Sequence, residues 1–374
     1  MKIAILGIKT LPAFAGADRV VERLLEHFPD GNEYYIYLLK SGKPELKCTD
    51  KCHYIYLPAL RGKHLKPFSF FTFCTLHFLL KGKYDIAHVH NEDFGFFVPL
   101  LKLKRHVKVI GTLHGSAFLH LRKKWGPIAI WYLQNSEKVF VRECDYLTTV
   151  AKSVLQIIPE SKIHKTEYIP NGIEINIGTS DKEVFEYEKF NLEKNGYVLF
   201  ACGRLDSTKG LHHLIKAFNK NNYGIKLFAI GGTNHDRSYE KYIQSISETN
   251  PHIILHRGLF PKEQLYEVIR NCRVFVFPSE YEAMSMMLLE VISCRKLVVC
   301  SSIAENVEVT GADYPYLFSL DNDNDLSLKL ERALNEKNTE KFTRSLYESC
   351  IKRFSWETIA QQYFDLYNRA LSGT

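Results

Sequence analysis

The sequence predicts an α/β protein made of two doubly wound domains, each with a parallel sheet and crossover helices. Its 374 residues exceed the usual size of one domain and suffice for two. Short apolar runs alternate with longer amphipathic stretches, a pattern typical of parallel strands joined by helices. After a Pro-Asn-Gly turn at 170–172 a polar stretch interrupts this alternation, which restarts at Tyr197.

The alternation places each element along the chain. Strands are predicted at 2–6, 34–39, 53–57, 85–90, 108–113, 146–150 and 167–169, then at 197–201, 225–230, 253–255, 274–277 and 297–300. Helices are predicted at 19–27, 67–80, 127–141 and 356–371, and from residue 211 onward. The predicted domains are 1–172 and 173–354, followed by a terminal segment, 355–374. Because ligands of open parallel sheets bind beyond the carboxyl ends of the strands, we expect the chemistry in the loops that follow them.

The composition is that of an ordinary globular protein, with 45% hydrophobic and 24% charged residues. The longest apolar stretch, 68–80, is shorter than the roughly 20 residues that a membrane-spanning helix needs. The apolar run 3–7 is too short for an export signal. We therefore expect a cytoplasmic protein that does not cross a membrane.

Basic residues are concentrated in the first domain. Between Arg61 and Lys124 there are twelve Lys or Arg residues and three acids. Such a patch attracts anionic lipid or nucleic acid, or is simply a solvated face. The same stretch holds aromatic side chains that either touch lipid or pack in the core: Phe68, Phe70, Phe71, Phe73 and Phe78. Peripheral contact with the inner face of the plasma membrane stays open, and we expect no nucleic-acid partner.

The strongest chemical signal lies between Phe277 and Glu290. A buried strand ends at Phe277, a polar loop follows, and a helix is predicted to start near Met284. Glu282 and Glu290 would lie about 12 Å apart if all the steps between them were helical, comparable to the distance from a sugar to a ribose across a diphosphate. The free N–H groups of the first helical turn bind phosphate or sugar oxygens. Alternatively, Glu282 caps the helix and Glu290 is exposed.

A second signal, at 201–210, follows the first strand of the second domain. Gly203 and Gly210 allow a tight backbone path. Arg204 and Lys209 would stabilise the negative charge that grows on the β-phosphate of a nucleoside-diphosphate leaving group, without a metal. Alternatively, Lys209 is a solvated residue at a helix start. The segment is not a Walker loop.

A third and weaker signal is Gly16, which precedes the helix predicted from Arg19. It does not belong to a Gly-x-Gly-x-x-Gly dinucleotide fingerprint. A glycine here would bring backbone amides against the phosphates of a donor.

The order and spacing of these segments resemble those of the retaining glycosyltransferases of family 4, which have the GT-B fold. The resemblance extends over essentially the whole chain. Residues 113–115, 124–126 and 168–174 resemble the bacterial surface-polysaccharide branch of the family, and residues 302–306 and 354–356 also match the family. It implies a GT-B architecture, with two Rossmann-like doubly wound domains facing a cleft. The first domain would bind the acceptor, the second would bind a nucleotide sugar, and segment 355–374 would cross back to the first.

The resemblance also implies roles for the residues that match the family's motifs. Arg204 and Lys209 would clamp the diphosphate. Glu290 would accept hydrogen bonds from the ribose, and Glu282 would hold hydroxyls of the transferred sugar. Gly16 and the backbone amides near Met284, Ser285 and Met286 would contact the donor. His114 would contact the sugar near the reacting carbon. Leu259 would lie by the base.

Two departures from the family pattern concern glycine positions. Ala283 and Ser285 stand where the family often has glycine, and Ala15-Gly16 replaces the usual Gly-Gly. Both add Cβ atoms near the expected donor contacts without removing a charge. They therefore bear on sugar specificity more than on activity.

We expect no metal, and no cofactor besides the donor substrate. Cys48 and Cys52 are close, but no second Cys/His pair follows at zinc spacing. His88 and His90 share one strand face near Glu92 and Asp93, so joint ligation stays open in principle. The family that the chain resembles is, however, metal-independent.

The sequence thus predicts retaining transfer of a hexosyl unit from a nucleotide-diphosphate sugar to a hydroxyl of a polysaccharide or lipid-linked oligosaccharide. No residue stands out as an enzymic nucleophile, which fits a same-face mechanism in which the leaving phosphate accepts the proton. The alternatives are a nucleotide-sugar epimerase of the same fold and an inactive nucleotide-sugar-binding subunit. Release of nucleoside diphosphate only when an acceptor is added would distinguish the transferase from the epimerase and from the inactive subunit.

Overall fold

A computed structural model describes residues 1–13, 16–40, 45–62, 65–116, 126–175, 177, 183–233, 236–322 and 324–373. The chain forms two compact units, Met1–Asn171 with Trp356–Thr374 and Gly172–Ser355. Each contains a parallel sheet with helices between successive strands. The predicted α/β class with two doubly wound domains is confirmed.

The first unit is built on a seven-stranded sheet of order β3-β2-β1-β4-β5-β6-β7, parallel throughout. The order reverses between β1 and β4, the kind of switch point beside which open α/β sheets bind ligands. Its strands are β1 Lys2–Leu6, β2 Glu33–Leu39, β3 Cys52–Leu57, β4 Ile86–Val89, β5 Lys108–Leu113, β6 Tyr146–Thr149 and β7 Thr166–Tyr168. Its helices include α1 Gly16–His27, α2 Leu65–Lys81, α3 Val98–Leu101, α4 Pro127–Glu143, α5 Lys152–Leu155 and α6 Glu160–Ile163.

The second unit repeats this winding in a six-stranded parallel sheet of order β10-β9-β8-β11-β12-β13. All six residues of β8 are buried, as expected for a central strand covered by helices on both faces. The strands are β8 Tyr197–Cys202, β9 Lys226–Gly231, β10 Ile253–Arg257, β11 Val274–Phe277, β12 Val298–Ser301 and β13 Leu317–Phe318. The helices are α7 Leu211–Lys220, α8 Arg237–Ser247, α9 Lys262–Asn271, α10 Met286–Ser293, α11 Ala304–Thr310, α12 Asp325–Leu334 and α13 Thr339–Phe354.

The last helix, α14 (Trp356–Ser372), belongs to the first unit. Ile359, Tyr363 and Tyr367 are fully buried, and their spacing places them on one face of the helix. The Tyr367 hydroxyl lies 2.6 Å from Nδ1 of His88 in β4. Two residues further along the helix, an Arg369 guanidinium nitrogen donates to Glu167 Oε1 at 2.6 Å.

Helix α2 divides its aromatic side chains between the core and the surface. Phe70, Phe71 and Phe78 are buried, so for these residues core packing is observed. Phe68 is 51% exposed, although its ring also contacts that of Phe97. Leu80 is 78% exposed. No helix among the described residues has both the length and the apolar composition to span a bilayer.

Candidate active site

The segment after β8 is held by a cap and by a glycine. The Asp206 carboxylate accepts a hydrogen bond from the Thr208 backbone N–H at 3.1 Å and so starts a short 3₁₀ turn, Ser207–Lys209. Gly210 ends this turn with φ +67°, and a Cβ there would lie 1.8 Å from the Pro278 carbonyl oxygen. Only glycine fits such a position without strain. The loops that follow β8 and β11 therefore pack directly against each other.

This packing pairs Lys209 with Glu282. Lys209 Nζ donates to Glu282 Oε1 at 2.6 Å, and the Ser279 hydroxyl donates to the same oxygen at 2.8 Å. Both charged side chains are largely shielded, at 22% and 10% exposure. Burial alone would lower the pKa of Lys209, but the Glu282 carboxylate outweighs burial and the pKa is raised. Lys209 therefore remains a cation at neutral pH.

A hydrogen-bonded chain fixes the loop that carries Glu282. The Ser301 hydroxyl, at the end of β12, donates to the Ser279 carbonyl at 2.5 Å. The Asn306 amide, in α11, donates to the Ser301 carbonyl and hydroxyl oxygens at 3.0 Å each. The Glu280 N–H donates to the Thr208 carbonyl at 2.8 Å. The sequence did not predict these hydrogen bonds, although residues 302–306 are among the segments that resemble the family.

The segment that follows Glu282 differs from its prediction at the helix start. Helix α10 begins at Met286, not near Met284, because the Ser285 hydroxyl caps it by accepting from the Leu288 N–H at 3.4 Å. Glu282 is thus not the capping residue, contrary to the alternative interpretation. Met284 and Met286 are both buried.

Glu290 lies inside the unit, at 2% exposure, rather than on its surface. The Tyr266 hydroxyl donates to its Oε1 at 3.0 Å. A carboxylate in so buried a position needs polar partners, since an unpaired buried charge is strongly unfavourable. The alternative of an exposed Glu290 is therefore wrong.

Arg204 and Leu259 follow two strands of the same sheet, β8 and β10, and both are exposed. The start of the segment after β9 lies between them. A Cβ on Gly232 would lie 2.2 Å from the Gly203 carbonyl oxygen and 3.5 Å from a Leu259 methyl group. The predicted diphosphate and base contacts thus share one edge of the second unit.

In the first unit, His114 follows β5 and is half-buried. Its Nε2 lies 3.1 Å from Nδ1 of the fully buried His90. Burial lowers the pKa of His114 to about 4, so its ring is neutral at neutral pH. Both ring nitrogens of the adjacent His88 are engaged, by the hydroxyls of Tyr367 and Thr112 at 2.6 and 2.7 Å. His88 therefore has a structural role in this cluster.

Gly16 is the first residue of α1, and a Cβ there would meet nothing within 4 Å. A larger residue would therefore fit at position 16, and the packing around it does not require glycine. The residue that organises the segment is Asp18, whose buried carboxylate accepts from the Lys9 and Thr10 N–H groups at 3.3 and 3.1 Å. Sequence reasoning did not single it out. Residues 15, 124 and 125 of the familial pattern lie outside the described residues.

Known families match both halves of the chain. Residues 184–352 match glycosyl transferases group 1, and residues 14–177 match glycosyltransferase family 4. The α-maltose-1-phosphate synthase of Mycolicibacterium smegmatis is 23% identical over 255 residues, which are 62% of this chain and 65% of that protein. The O-antigen chain mannosyltransferase B of Escherichia coli is 27% identical over 187 residues, 48% of each chain. This chain therefore spans just under two thirds of the first relative and about half of the second.

Solved structures share the fold. Anabaena HepE, in complex with UDP and glucose, matches with a TM-score of 0.77 and 14% identity, and the match covers 100% of both chains. Fold, family models and relatives agree. The chain therefore belongs to the GT-B glycosyltransferases of family 4.

Proposed function

We propose that the chain is a retaining, metal-independent glycosyltransferase. It moves a hexosyl unit from a nucleotide-diphosphate sugar to a hydroxyl of a polysaccharide or lipid-linked oligosaccharide. The observation that carries the proposal is the Lys209–Glu282 pair at 2.6 Å, with Glu290 buried farther along the same segment. The proposal assigns Lys209 to the diphosphate, Glu282 to the transferred sugar and Glu290 to the ribose.

Lys209 and Arg204 supply the charge for the diphosphate. An ammonium group has three N–H donors, so Lys209 can hold a phosphate oxygen while it remains paired with Glu282. The exposed guanidinium of Arg204 suits bidentate pairing with phosphate oxygens. Anabaena HepE binds UDP on the same fold, which supports a nucleotide donor for this chain.

The proposed step needs no enzymic nucleophile. The bond between the anomeric carbon and the β-phosphate oxygen breaks, and a bond to the acceptor oxygen forms on the same face of the sugar. The acceptor's proton passes to an oxygen of the leaving phosphate. Lys209 and Arg204 stabilise the charge that grows on this phosphate. Glu282 accepts hydrogen bonds from sugar hydroxyls, and the neutral ring of His114 contacts the sugar near the reacting carbon.

The acceptor proposed is a glycan, in part because one relative acts on the O-antigen chain. If the glycan is lipid-linked, the enzyme must work at a membrane surface. Helix α2 offers exposed Leu65, Phe68, Leu76 and Leu80 beside exposed lysines at its two ends, Lys66 and Lys81. This combination of apolar and basic side chains suits peripheral contact with anionic lipid.

The proposal is tested in two stages. A thermal-shift panel of UDP-, GDP- and dTDP-sugars identifies the donor, because a ligand at 100 times its Kd adds about 2.7 kcal/mol of stability. Nucleotide release is then measured with and without glycan acceptors, and the product's anomeric configuration is read by NMR. We expect release that depends on the acceptor and a configuration that matches the donor's.

The other outcomes identify the alternatives. An epimerase changes the sugar of the donor while the nucleotide stays attached, and an inactive subunit binds the donor without consuming it. Product of inverted configuration would show that the mechanism is not retaining. A protein that no nucleotide sugar stabilises would contradict the donor assignment itself.

A further inference from the structure

Two histidines and a carboxylate converge beside the proposed phosphate site. His212 and His213 lie in the first turn of α7, and Glu280 lies in the loop after β11. The Nε2 atoms of the two histidines lie 3.2 and 3.1 Å from the same oxygen, Glu280 Oε1. Each residue offers one potential ligand atom, and these three atoms lie within 4.8 Å of one another. In the described part of the chain, no other group of three His, Cys, Asp or Glu residues meets this spacing.

The backbone holds these three residues in place before anything binds. The close contact of Gly210 with the Pro278 carbonyl joins the start of α7 to the loop after β11. The Glu280 N–H adds a hydrogen bond to the Thr208 carbonyl at 2.8 Å. The three side chains keep 15%, 25% and 30% of their surface exposed, so a small ion can reach them.

We propose that His212, His213 and Glu280 bind a divalent transition-metal ion of the zinc type. Tetrahedral ligand atoms at zinc distances of about 2.0–2.2 Å lie roughly 3.3 Å from one another. The observed separations of 3.2 and 3.1 Å are close to this value. Two imidazoles and one carboxylate suit zinc, cobalt or nickel, whereas magnesium prefers oxygen ligands. A water molecule completes the tetrahedron.

Tyr239 orients one of the ligands. Its hydroxyl lies 2.9 Å from His212 Nδ1 and also accepts from the His212 backbone N–H at 3.2 Å. Histidines that bind a metal through one ring nitrogen usually donate the N–H of the other to a fixed oxygen. When Nδ1–H donates to the Tyr239 oxygen, the lone pair of Nε2 faces Glu280 and the ion. Tyr239 is therefore a positioning residue.

The ion site is separate from the donor chemistry proposed above, which uses Lys209 and Glu282. A bound ion would link the start of α7 to the loop that also carries Glu282. It would thus stabilise the arrangement of these two segments without taking part in sugar transfer.

The test uses the untagged full chain, dialysed against EDTA and then titrated with Zn²⁺ by calorimetry and with Co²⁺ by visible absorption. We expect one ion per chain and the absorption of tetrahedral cobalt. His213→Ala and the isosteric Glu280→Gln should abolish this binding. Tyr239→Phe should weaken it about 10- to 100-fold, as loss of an outer hydrogen bond to a ligating histidine does.

Two matched variants remove other metal-binding side chains. His252→Ala changes an exposed histidine elsewhere in the second unit, and Cys48→Ser changes an exposed thiol. Both should bind Zn²⁺ as the unchanged chain does. The proposed site would be overturned if His213→Ala and Glu280→Gln bound Zn²⁺ as well as the unchanged chain does. It would also be overturned if the unchanged chain bound no Zn²⁺. No nucleotide is present, so this result is independent of the donor proposal.

Discussion

Lys209 Nζ lies 2.6 Å from Glu282 Oε1, although the two residues are 73 positions apart in the chain. Lys209 follows β8 and Glu282 follows β11, two strands that pair in parallel. The carboxyl ends of parallel neighbours lie at the same edge of a sheet, which is why two separate sequence signals describe one site. In the proposed mechanism, the pair would also link binding of the diphosphate at Lys209 to the position of the Glu282 carboxylate.

Removing either proposed phosphate ligand should slow transfer strongly. Lys209→Ala and Arg204→Ala should each lower turnover about a hundredfold or more, because each removes a charge that stabilises the leaving phosphate in the transition state. Steady-state rates on folded variants measure this. Lys241→Ala, at an exposed lysine in α8, is the matched control and should be as active as the unchanged chain. Near-normal turnover in both site variants would contradict the clamp.

Chelation should leave transfer intact, because in the proposed mechanism side-chain cations rather than a metal stabilise the leaving group. Activity is measured after dialysis against EDTA and again after adding Mn²⁺ or Mg²⁺. We expect equal rates in all three conditions. Loss of activity on chelation that Mn²⁺ or Mg²⁺ restored would show that the donor phosphates depend on a metal.

Gly210→Ala should destabilise the second unit. A Cβ would have to lie 1.8 Å from the Pro278 carbonyl, and the backbone has φ +67°. We expect a loss of about 2 kcal/mol or more in the free energy of unfolding, measured in urea. Gly203→Ala, in the same segment, is the control because a Cβ there meets nothing within 4 Å. Equal stability of the two variants would be inconsistent with the observed packing.

His88 should make the first unit less stable in acid. Burial lowers its pKa to about 3, so between that pH and about 6.5 the unfolded chain binds a proton that the folded chain does not. Its stabilising contribution is therefore complete above about pH 6.5 and is lost as the pH falls toward 3.

The change His88→Gln isolates this contribution from groups that act in the opposite direction. Burial raises the pKa of Glu92 above its ordinary value, so its contribution falls as the pH rises. Urea unfolding of the unchanged chain and of His88→Gln, at several pH values, should give slopes that differ by about 1.4 kcal/mol per pH unit near pH 5. Parallel pH profiles would exclude titration of His88 as a cause.

The exposed face of α2 should bind anionic vesicles. Each Lys or Arg near such a surface contributes about 1 kcal/mol, and the screening length falls from about 10 Å at 0.1 M salt to about 3 Å at 1 M. Co-sedimentation should therefore be strong at low salt and weak at high salt. Lys66→Glu together with Lys81→Glu should reduce it, and Lys329→Glu, in the second unit, should not. Equal binding to neutral and anionic vesicles, or none to either, would leave this face as ordinary solvated surface.

Buried apolar runs made the strands predictable. β1, β5 and β11 have the predicted bounds, because each is a short and largely apolar or β-branched run that ends at a polar residue or a turn. β13 was missed because two residues, Leu317 and Phe318, carry no periodic pattern. The start of α10 at Met286 was in principle readable, since serine is a favoured N-cap and Ser285 stands there.

The hydrogen bonds that hold the loops of the site in place could not be predicted from the sequence. Ser301 donates a hydrogen bond to Ser279, which is 22 residues away in the chain, and Asn306 in turn holds Ser301. The convergence of His213 with Glu280 spans 67 residues. Such contacts depend on which strands become neighbours in the sheet, and the local spacing of residues in the sequence does not predict this. The charged residues of the site could be selected from the sequence, but the groups that orient them could not.

The return of α14 to the first unit has a consequence for biosynthesis. Gly172–Ser355 is one contiguous segment, so the second unit can complete its core before α14 has been synthesised. The first unit is synthesised earlier, yet it lacks the buried face of Ile359, Tyr363 and Tyr367 until translation reaches them. Since domains generally fold as units during synthesis, the part of the chain made first is finished last. A nascent chain stalled before α14 would expose the apolar surface that this helix covers, and would be a substrate for chaperones.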